Sequence, residues 1–420
     1  MKKKILLRAP LLTRSGYGEQ SRFALRSLRT REDVFDIYIQ PLEWGKTSWI
    51  ALVDEEREWI DKTIEKTIAH IQQGGTFDMS LQVTIPNEWE KLAPVNIGYT
   101  AGIETSKVAP LWLQKANETM NSVILVSNHS KNTYVNTVAI ATDNRTNHQF
   151  EYKVNIPMHV VNYPVKQYDN LPDIELDLKT DFNFLAIAQF GPRKNLNNTI
   201  KWFIEEFHDE NVGLVIKTNL MKNCLIDRER TFGSVQAMAK EFPDKKCKIY
   251  LIHGDMTDEE MHALYTHDKI SSLLAIPHGE GFGLPIFEAA YSGLPVVAVT
   301  WSGQQDYLVD ENGTHCYDVS FDLQQVQQEV VWENVLIQDS MWSFAREQSF
   351  KEKMRQCYDD ITNNVENSIA SLACEYANTL KERFAPEKMY EQFVSCIYDE
   401  PEEIDWSKWQ EEQHAAQDID

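Results

Sequence analysis

Two glutamates, Glu280 and Glu288, flank Gly281, Phe282, Gly283 and Leu284 in the stretch IPHGEGFGLPIFEAAYSGLP, residues 276–295. Glycines so placed let backbone N–H groups come close to a ligand, and Pro285 suits a first helical position because its missing N–H would have had no partner there. A helix starting at about Ile286 offers roughly half a positive charge and several free donors, a natural neighbour for phosphate. Glu288, one turn in, is therefore better suited to accept hydrogen bonds from sugar hydroxyls than to hold the phosphate itself. Spacing alone also fits a strand, turn and helix with two solvated glutamates. Arg193 and Lys194 in GPRKNLNNTIKWFIEEF form a second cluster. Two cations at a helix start are unfavourable with its dipole unless an anion joins them.

EGFGLPIFE with SGLPVVAVTWSGQQDYL resembles the donor-site signature of retaining, nucleotide-sugar-dependent glycosyltransferases of the GT-B type, family 4 or group 1. The resemblance implies that Glu280 faces the donor sugar, that Glu288 holds the ribose, and that the backbone of Gly281, Phe282, Gly283 and Leu284 meets sugar and phosphate. It implies that Arg193 and Lys194 meet the donor pyrophosphate, the first as a planar fork and the second as a point charge. Lys217, ending GLVIKTNL, becomes a further donor residue, and the exit of KCKIYLIHG, from His253 to Met256, lies beside the base. Gly16 and Gly18 resemble the family's glycine loop, although a short GxG also fits an ordinary turn. VNIGYTAGIETSK resembles a polar loop that carries a His in many relatives; here Tyr99, Thr100 and Glu104 occupy it. Glu104 is the charged candidate, with helix capping as its alternative. Ser127, Asn128 and Ser130 read as caps of a helix near Lys131. Where many relatives have Gly-Arg, this chain has Ala188, Gln189 and Phe190.

The implied fold is α/β of GT-B architecture, two Rossmann-like doubly wound domains facing a cleft. The implied reaction moves a sugar from a UDP- or GDP-sugar to a glycan or other acceptor hydroxyl with retention of configuration, with no metal and no cofactor beyond the donor. Two readings from other classes stand beside it: a transferase acting on modified nucleic-acid bases, and a non-catalytic nucleotide-sugar-binding protein.

The elements that must position these residues follow from length and pattern. A chain of 420 residues exceeds a single core, and the divisions expected are 1–165, a linker at 166–180, and 181–396, with a last helix at about 397–412 packing back on the first domain. MKKKILLRAP reads as a buried strand, its apolar run being too short for a signal peptide. The glycine turn and a helix carrying Phe23, Ala24, Leu25 and Leu28 follow it. Asp54 to Gln73 reads as an amphipathic helix with Trp59, Ile60, Ile64, Ile68 and Ile71 inward. Thr257 with Glu260 forms a capping-box pattern. Residues 322–395 read as mainly helical, and the last ten or so as frayed.

Charge limits the partners. A formal net charge of −23 opposes non-specific binding to nucleic acid or anionic lipid. The first 31 residues run against it, with nine basic residues and one acidic. Arg22, Arg26 and Arg29 share a helix face, which is a solvated surface, an attractor of an anionic acceptor or membrane, or a partner for the acidic C-terminus. No apolar stretch reaches the roughly 20 residues of a membrane span, so any membrane contact is peripheral. Six cysteines without a CxxC pair suggest a reducing compartment, the cytoplasm. Oligomeric state is not legible.

Overall fold

The computed structural model describes residues 2–45 and 47–398. In the first half, β1 (Lys3–Ala9), β2 (Phe35–Pro41), β3 (Met79–Val83), β4 (Val95–Thr100) and β5 (Ser122–Leu125) are followed by an antiparallel hairpin, β6 (Ala139–Thr142) with β7 (Gln149–Tyr152), and by β8 (Met158–Val160). All but the hairpin form one parallel sheet in the order β2-β1-β3-β4-β5-β8. The second sheet contains β9 (Phe182–Ile187), β10 (Val212–Lys217), β11 (Lys248–Ile252), β12 (Ser272–Ala275), β13 (Val296–Ala298) and a short strand at Tyr317–Asp318. Its order is β11-β10-β9-β12-β13 and then that strand, again all parallel. Strands covered on both faces read as continuous apolar runs, which is why FNFLAI is buried almost throughout. Each sheet reverses strand order once, between β1 and β3 and between β9 and β12, and ligands of open α/β sheets bind beyond the strand ends at such points.

Helices α1 (Gly16–Arg29), α2 (Glu55–Gln72), α3 (Pro110–Thr119) and α4 (Asn128–Asn136) flank the first sheet. α5 (Leu196–Glu206), α6 (Leu225–Lys240), α7 (Asp258–Tyr265), α8 (Leu284–Tyr291), the single turn α9 (Gln305–Leu308), α10 (Glu347–Thr362) and α11 (Ile369–Arg383) belong to the second. The Thr257–Glu260 capping box forms in full at the start of α7. Among the described residues no helix is long and apolar enough to cross a membrane.

Two expectations fail for physical reasons, and two others are made more exact by the structure. α2 buries Ile60, Thr63 and Thr67, whereas Ile68 and Ile71 are exposed. β2 is an edge strand, and the Thr67 hydroxyl accepts the Ile39 N–H at 2.8 Å, so hydrogen-bonding demand selects the threonine face. Residues 322–395 do not begin helically: Phe321–Gln325 and Met341–Ala345 pair as an antiparallel arm. The chain returns to the first domain earlier than 397–412, through α12 (Pro386–Ser395), whose Tyr390 ring stacks on Phe23 of α1 and whose Phe393 ring meets it edge-on. Tyr398 also meets Phe35, and the remainder of the expected helix, with the frayed end, lies outside the described residues.

The fourth concerns the arginine face, whose three side chains are each engaged within the protein. Arg22 is buried, donating to the carbonyls of Leu11 at 2.7 Å and Thr13 at 3.1 Å and pairing with Glu19. Arg26 forks onto Glu56 at 2.7 and 2.9 Å, while Arg29 pairs with Glu32 and lies over the Trp59 ring. Arg22→Gln should therefore lower the unfolding free energy by about 2–3 kcal/mol, because buried carbonyls and Glu19 lose charged donors. A urea titration measures this, and an unchanged midpoint would refute the buried role.

Candidate functional site

The cleft between the two switch points has a volume of about 500 Å³. From the first domain come the turn after β1 (Arg14 to Tyr17, with Glu19) and the loop after β4 (Ala101, Gly102, Glu104). The second domain contributes Arg193 and Lys194 after β9, Lys217 at the end of β10, Asp258, Met261, His262 and Tyr265 of α7, and the run from Glu280 to Pro285 with Glu288. Tyr17 joins the two first-domain loops. Its hydroxyl meets Thr100 Oγ1 at 2.7 Å and accepts the Gly102 N–H at 3.1 Å, fixing the strand exit that carries Glu104.

The loop before α8 is tightly held. Gly283 takes φ +88°, a left-handed conformation that side chains resist, and caps a helix that starts at Leu284, two residues earlier than expected. Tyr307 Oη lies 3.0 and 2.8 Å from the carbonyls of Phe282 and Gly283, and the Glu280 N–H donates to Ser302 Oγ at 2.9 Å. A Cβ on Gly281 would sit 1.9 Å from the Ala101 carbonyl oxygen. That glycine thus permits close approach of the first domain as well as of a ligand.

Arg193 and Lys194 converge on Glu280. Arg193 Nη1 lies 3.0 Å from Glu280 Oε2 and donates to the Gly279 carbonyl at 2.7 Å, while its Nε pairs with Glu104 across the domain interface at 2.9 Å. Lys194 Nζ holds the other Glu280 oxygen. Burial raises the Glu280 carboxyl, but the Lys194 and Arg193 charges outweigh it and keep the group below its ordinary value. For Glu104 burial wins, aided by the Glu280 charge, and its carboxyl is pushed up. Lys194 is lowered by burial and by Arg193 beside it. The four groups form one network in which a polyanion would relieve the cation pair.

Glu288 sits at the other pole of α8's first turns, accepting the Tyr265 hydroxyl at 2.9 Å. Burial raises its carboxyl to about 7, against the lowering effects of Lys166 and Tyr265, with the Glu19 and Asp258 charges adding to the rise. Lys166 Nζ bridges Glu19 at 3.0 Å and Asp258 at 2.7 Å, one carboxylate from each domain. Lys217 donates to the Gly254 carbonyl at 2.6 Å, and burial lowers its ammonium. Among the described residues no group of three or more His, Cys, Asp or Glu could hold a metal ion.

Of the residues expected at the site, Gly16, Arg193, Lys194, Lys217, Glu280, Gly281, Phe282, Gly283, Leu284 and Glu288 line the cleft, and so does Glu104. Gly18 does not. A Cβ there would meet the Thr13 carbonyl oxygen at 2.0 Å, so this glycine serves the packing of α1 against the turn. Tyr99 is buried in the core, and Thr100 serves by bonding Tyr17. Ser127 does cap α4, accepting the Ser130 N–H, and also donates to the Gly281 carbonyl at 2.7 Å. His253 pairs with Asp227 at 2.9 Å and does not line the cleft, where Thr218, Asn219 and Asn223 lie instead. Sequence reading missed Tyr17, Lys166, Tyr265 and Tyr307. Tyr17, between two suspect glycines, and Tyr307, within SGQQDYL, carried a local signal; Lys166 and Tyr265 did not.

Residues 169–324 match the sequence model described as glycosyl transferases group 1. No curated protein sequence matches the chain. Among solved structures, the chain resembles Anabaena HepE in complex with UDP and glucose at 12% identity and TM-score 0.55, covering 94% of this chain and 99% of that one. It resembles sucrose-phosphate synthase from Thermosynechococcus elongatus at 13% identity and TM-score 0.57, covering 94% and 98%. A glycosyltransferase from Rickettsia africae gives 13% and 0.57, covering 94% and 97%. The chain spans 55% of the length of S. aureus TarM, at a TM-score of 0.48. Identities this low speak for the fold alone, whereas the sequence match covers the segment that carries Arg193, Lys194, Glu280 and Glu288. Residues 169–324 are therefore similar in sequence to the glycosyl transferases of group 1, and the chain's two facing Rossmann-like domains have the GT-B architecture.

Proposed function

We propose that this chain transfers a sugar from a UDP- or GDP-sugar to an acceptor hydroxyl with retention of anomeric configuration and without a metal. The observation that carries the reading is the convergence in one cleft of Arg193 and Lys194, the N-terminal end of α8 and Glu288. The donor diphosphate would lie against the cations and the helix end, the ribose against Glu288, and the sugar beside Glu280. HepE, of the same fold, binds UDP and glucose, which supports the choice of donor class.

Retention is supported by how the cleft carboxylates are used. Glu104 and Glu280 are paired with Arg193 and Lys194, Glu19 and Asp258 with Lys166, and Glu288 with Tyr265. Each is thus engaged, and the proton of the acceptor hydroxyl goes instead to the departing diphosphate oxygen, on the face the acceptor enters. Arg193 and Lys194 stabilise the charge that develops there. The bound arginines of α1 remove the feature that favoured a nucleic-acid acceptor. Six free cysteines support a reducing, cytoplasmic location.

A panel of UDP- and GDP-sugars incubated with the protein, with and without simple glycosides, tests the reading. Release of UDP or GDP from one donor, with an α-linked product from an α-linked donor, is expected. Nucleotide binding without turnover of any donor would favour the non-catalytic alternative, and a product of opposite configuration would overturn retention.

A further inference from the structure

We infer that the arm between Phe321 and Ala345 is a domain strap that sets the Glu104–Arg193 ion pair, with Ser106, Val335 and Ile337 as positioning residues for the site. The arm's two strands pair over five residues, Phe321 with Ala345 through to Gln325 with Met341. In such a pair alternate residues turn their backbone groups outward, and on the returning strand Met341 and Ser343 do so. Each outward residue binds a different domain. The Ser343 N–H donates to the His278 carbonyl at 2.8 Å, and His278 Nδ1 lies 2.6 Å from the Ser343 carbonyl, with Trp342 stacked on the imidazole. Two residues earlier, the Met341 carbonyl accepts the Ser106 N–H at 2.8 Å and its N–H donates to Ser106 Oγ at 2.9 Å.

These two partners are the immediate neighbours of the cross-domain pair. The His278 N–H donates to the Arg193 carbonyl at 2.8 Å, and Ser106 lies two residues beyond Glu104. One strand edge therefore spans, in about 7 Å, the loop that holds Arg193 and the loop that carries Glu104. The tip secures the same grip. Val335 and Ile337 pack against the first-domain cluster containing Trp89 and Trp112. Lys107 pairs with Asp339 at 2.8 Å, and Asn87 Nδ2 donates to the Asn334 carbonyl at 3.1 Å. Moving the domains apart must break this ladder and expose the two apolar side chains together, so the strap favours one interdomain register over a continuum of them.

The test uses the full chain with Val335→Asp and Ile337→Asp combined. A milder second variant, Asp339→Lys, places like charges at an exposed contact, and adding Lys107→Asp restores opposite ones. Small-angle scattering should show a larger radius of gyration for the double aspartate variant than for wild type. UDP affinity by calorimetry should stay within about twofold, since Arg193, Lys194, the start of α8 and Glu288, proposed to hold the diphosphate and ribose, all lie in the second domain. The kinetic arm rests on the proposed transferase reading: turnover of the active donor should fall at least tenfold with its KM changed less than threefold, at a temperature well below unfolding. Asp339→Lys should show the same split more weakly, and the charge-swapped pair should recover it. Unchanged scattering in the double variant overturns the strap. An opened molecule with unchanged turnover overturns the positioning role. If wild type turns over no donor, the transferase reading fails, yet scattering and the charge-swap recovery of the compact form still decide the strap.

Discussion

Lys194→Ala is expected to cut turnover of the nucleotide sugar by about 10²–10³-fold, the usual loss when a preorganised charge stabilising a leaving group is removed. The reason lies in what Lys194 touches. Among the described residues its ammonium pairs with Glu280, whereas Arg193 is already bound to Glu104, Glu280 and the Gly279 carbonyl. Lys194 is thus the freer cation to follow charge as it builds on the departing diphosphate. Binding of the neutral nucleoside should hardly change, while binding of the diphosphate weakens. Equal loss of affinity for uridine and UDP would show that the lysine does not face phosphate. Removing it also leaves Glu280 with one cation instead of two, so its carboxyl should rise towards its ordinary value and the pH profile of turnover should move with it.

Glu288→Gln should weaken UDP binding roughly 10- to 100-fold, because the ribose hydroxyls lose a charged acceptor worth about 1.5–3 kcal/mol. Unchanged affinity by calorimetry would end the ribose assignment. The same substitution should stabilise the protein at alkaline pH. Burial holds the Glu288 carboxyl at about 7, above its ordinary 4.5. A raised carboxyl contributes its stability fully below 4.5 and loses it as pH rises through 7, whereas glutamine does not titrate. Relative to wild type, the variant should therefore gain on the order of 3 kcal/mol between pH 4 and pH 8. Thermal unfolding followed across that range gives the result, and parallel curves for the two proteins would show that Glu288 is not buried in its charged form. The contrast is informative about design: the residue is kept acidic at a cost to the fold, which makes sense where a ligand needs the charge.

Much of the second domain's share of the cleft was legible because its determinants are local. Glu280 through Glu288 lie within one turn and one helix, and Arg193 with Lys194 within another, so spacing and residue type suffice to place them at strand exits. The capping box at Thr257 and the buried strand FNFLAI were readable for the same reason. Gly16 and Gly18 show where local reading stops. Both look like ligand loops, but only Gly16 faces the cleft, and the backbone of Thr13 claims the other.

The sequence by itself determined the alternation of strand and helix, the order of the two domains, and the placement of Arg193, Lys194, Glu280 and Glu288 at strand exits, since each is set by periodicity or by residues within hydrogen-bonding reach along the chain. The tertiary structure alone decided which charges serve the site. Arg22 and Arg26 resemble Arg193 in type, yet the first two satisfy buried carbonyls and Glu56 while the third crosses to Glu104. Lys166 in the linker, Tyr17 behind the β4 exit and the arm at Ser106 likewise acquire their roles from partners distant in sequence. A charge or hydroxyl has no function in isolation: its protonation and its bonding are set by burial and by neighbours, and those neighbours are assembled only when two domains meet.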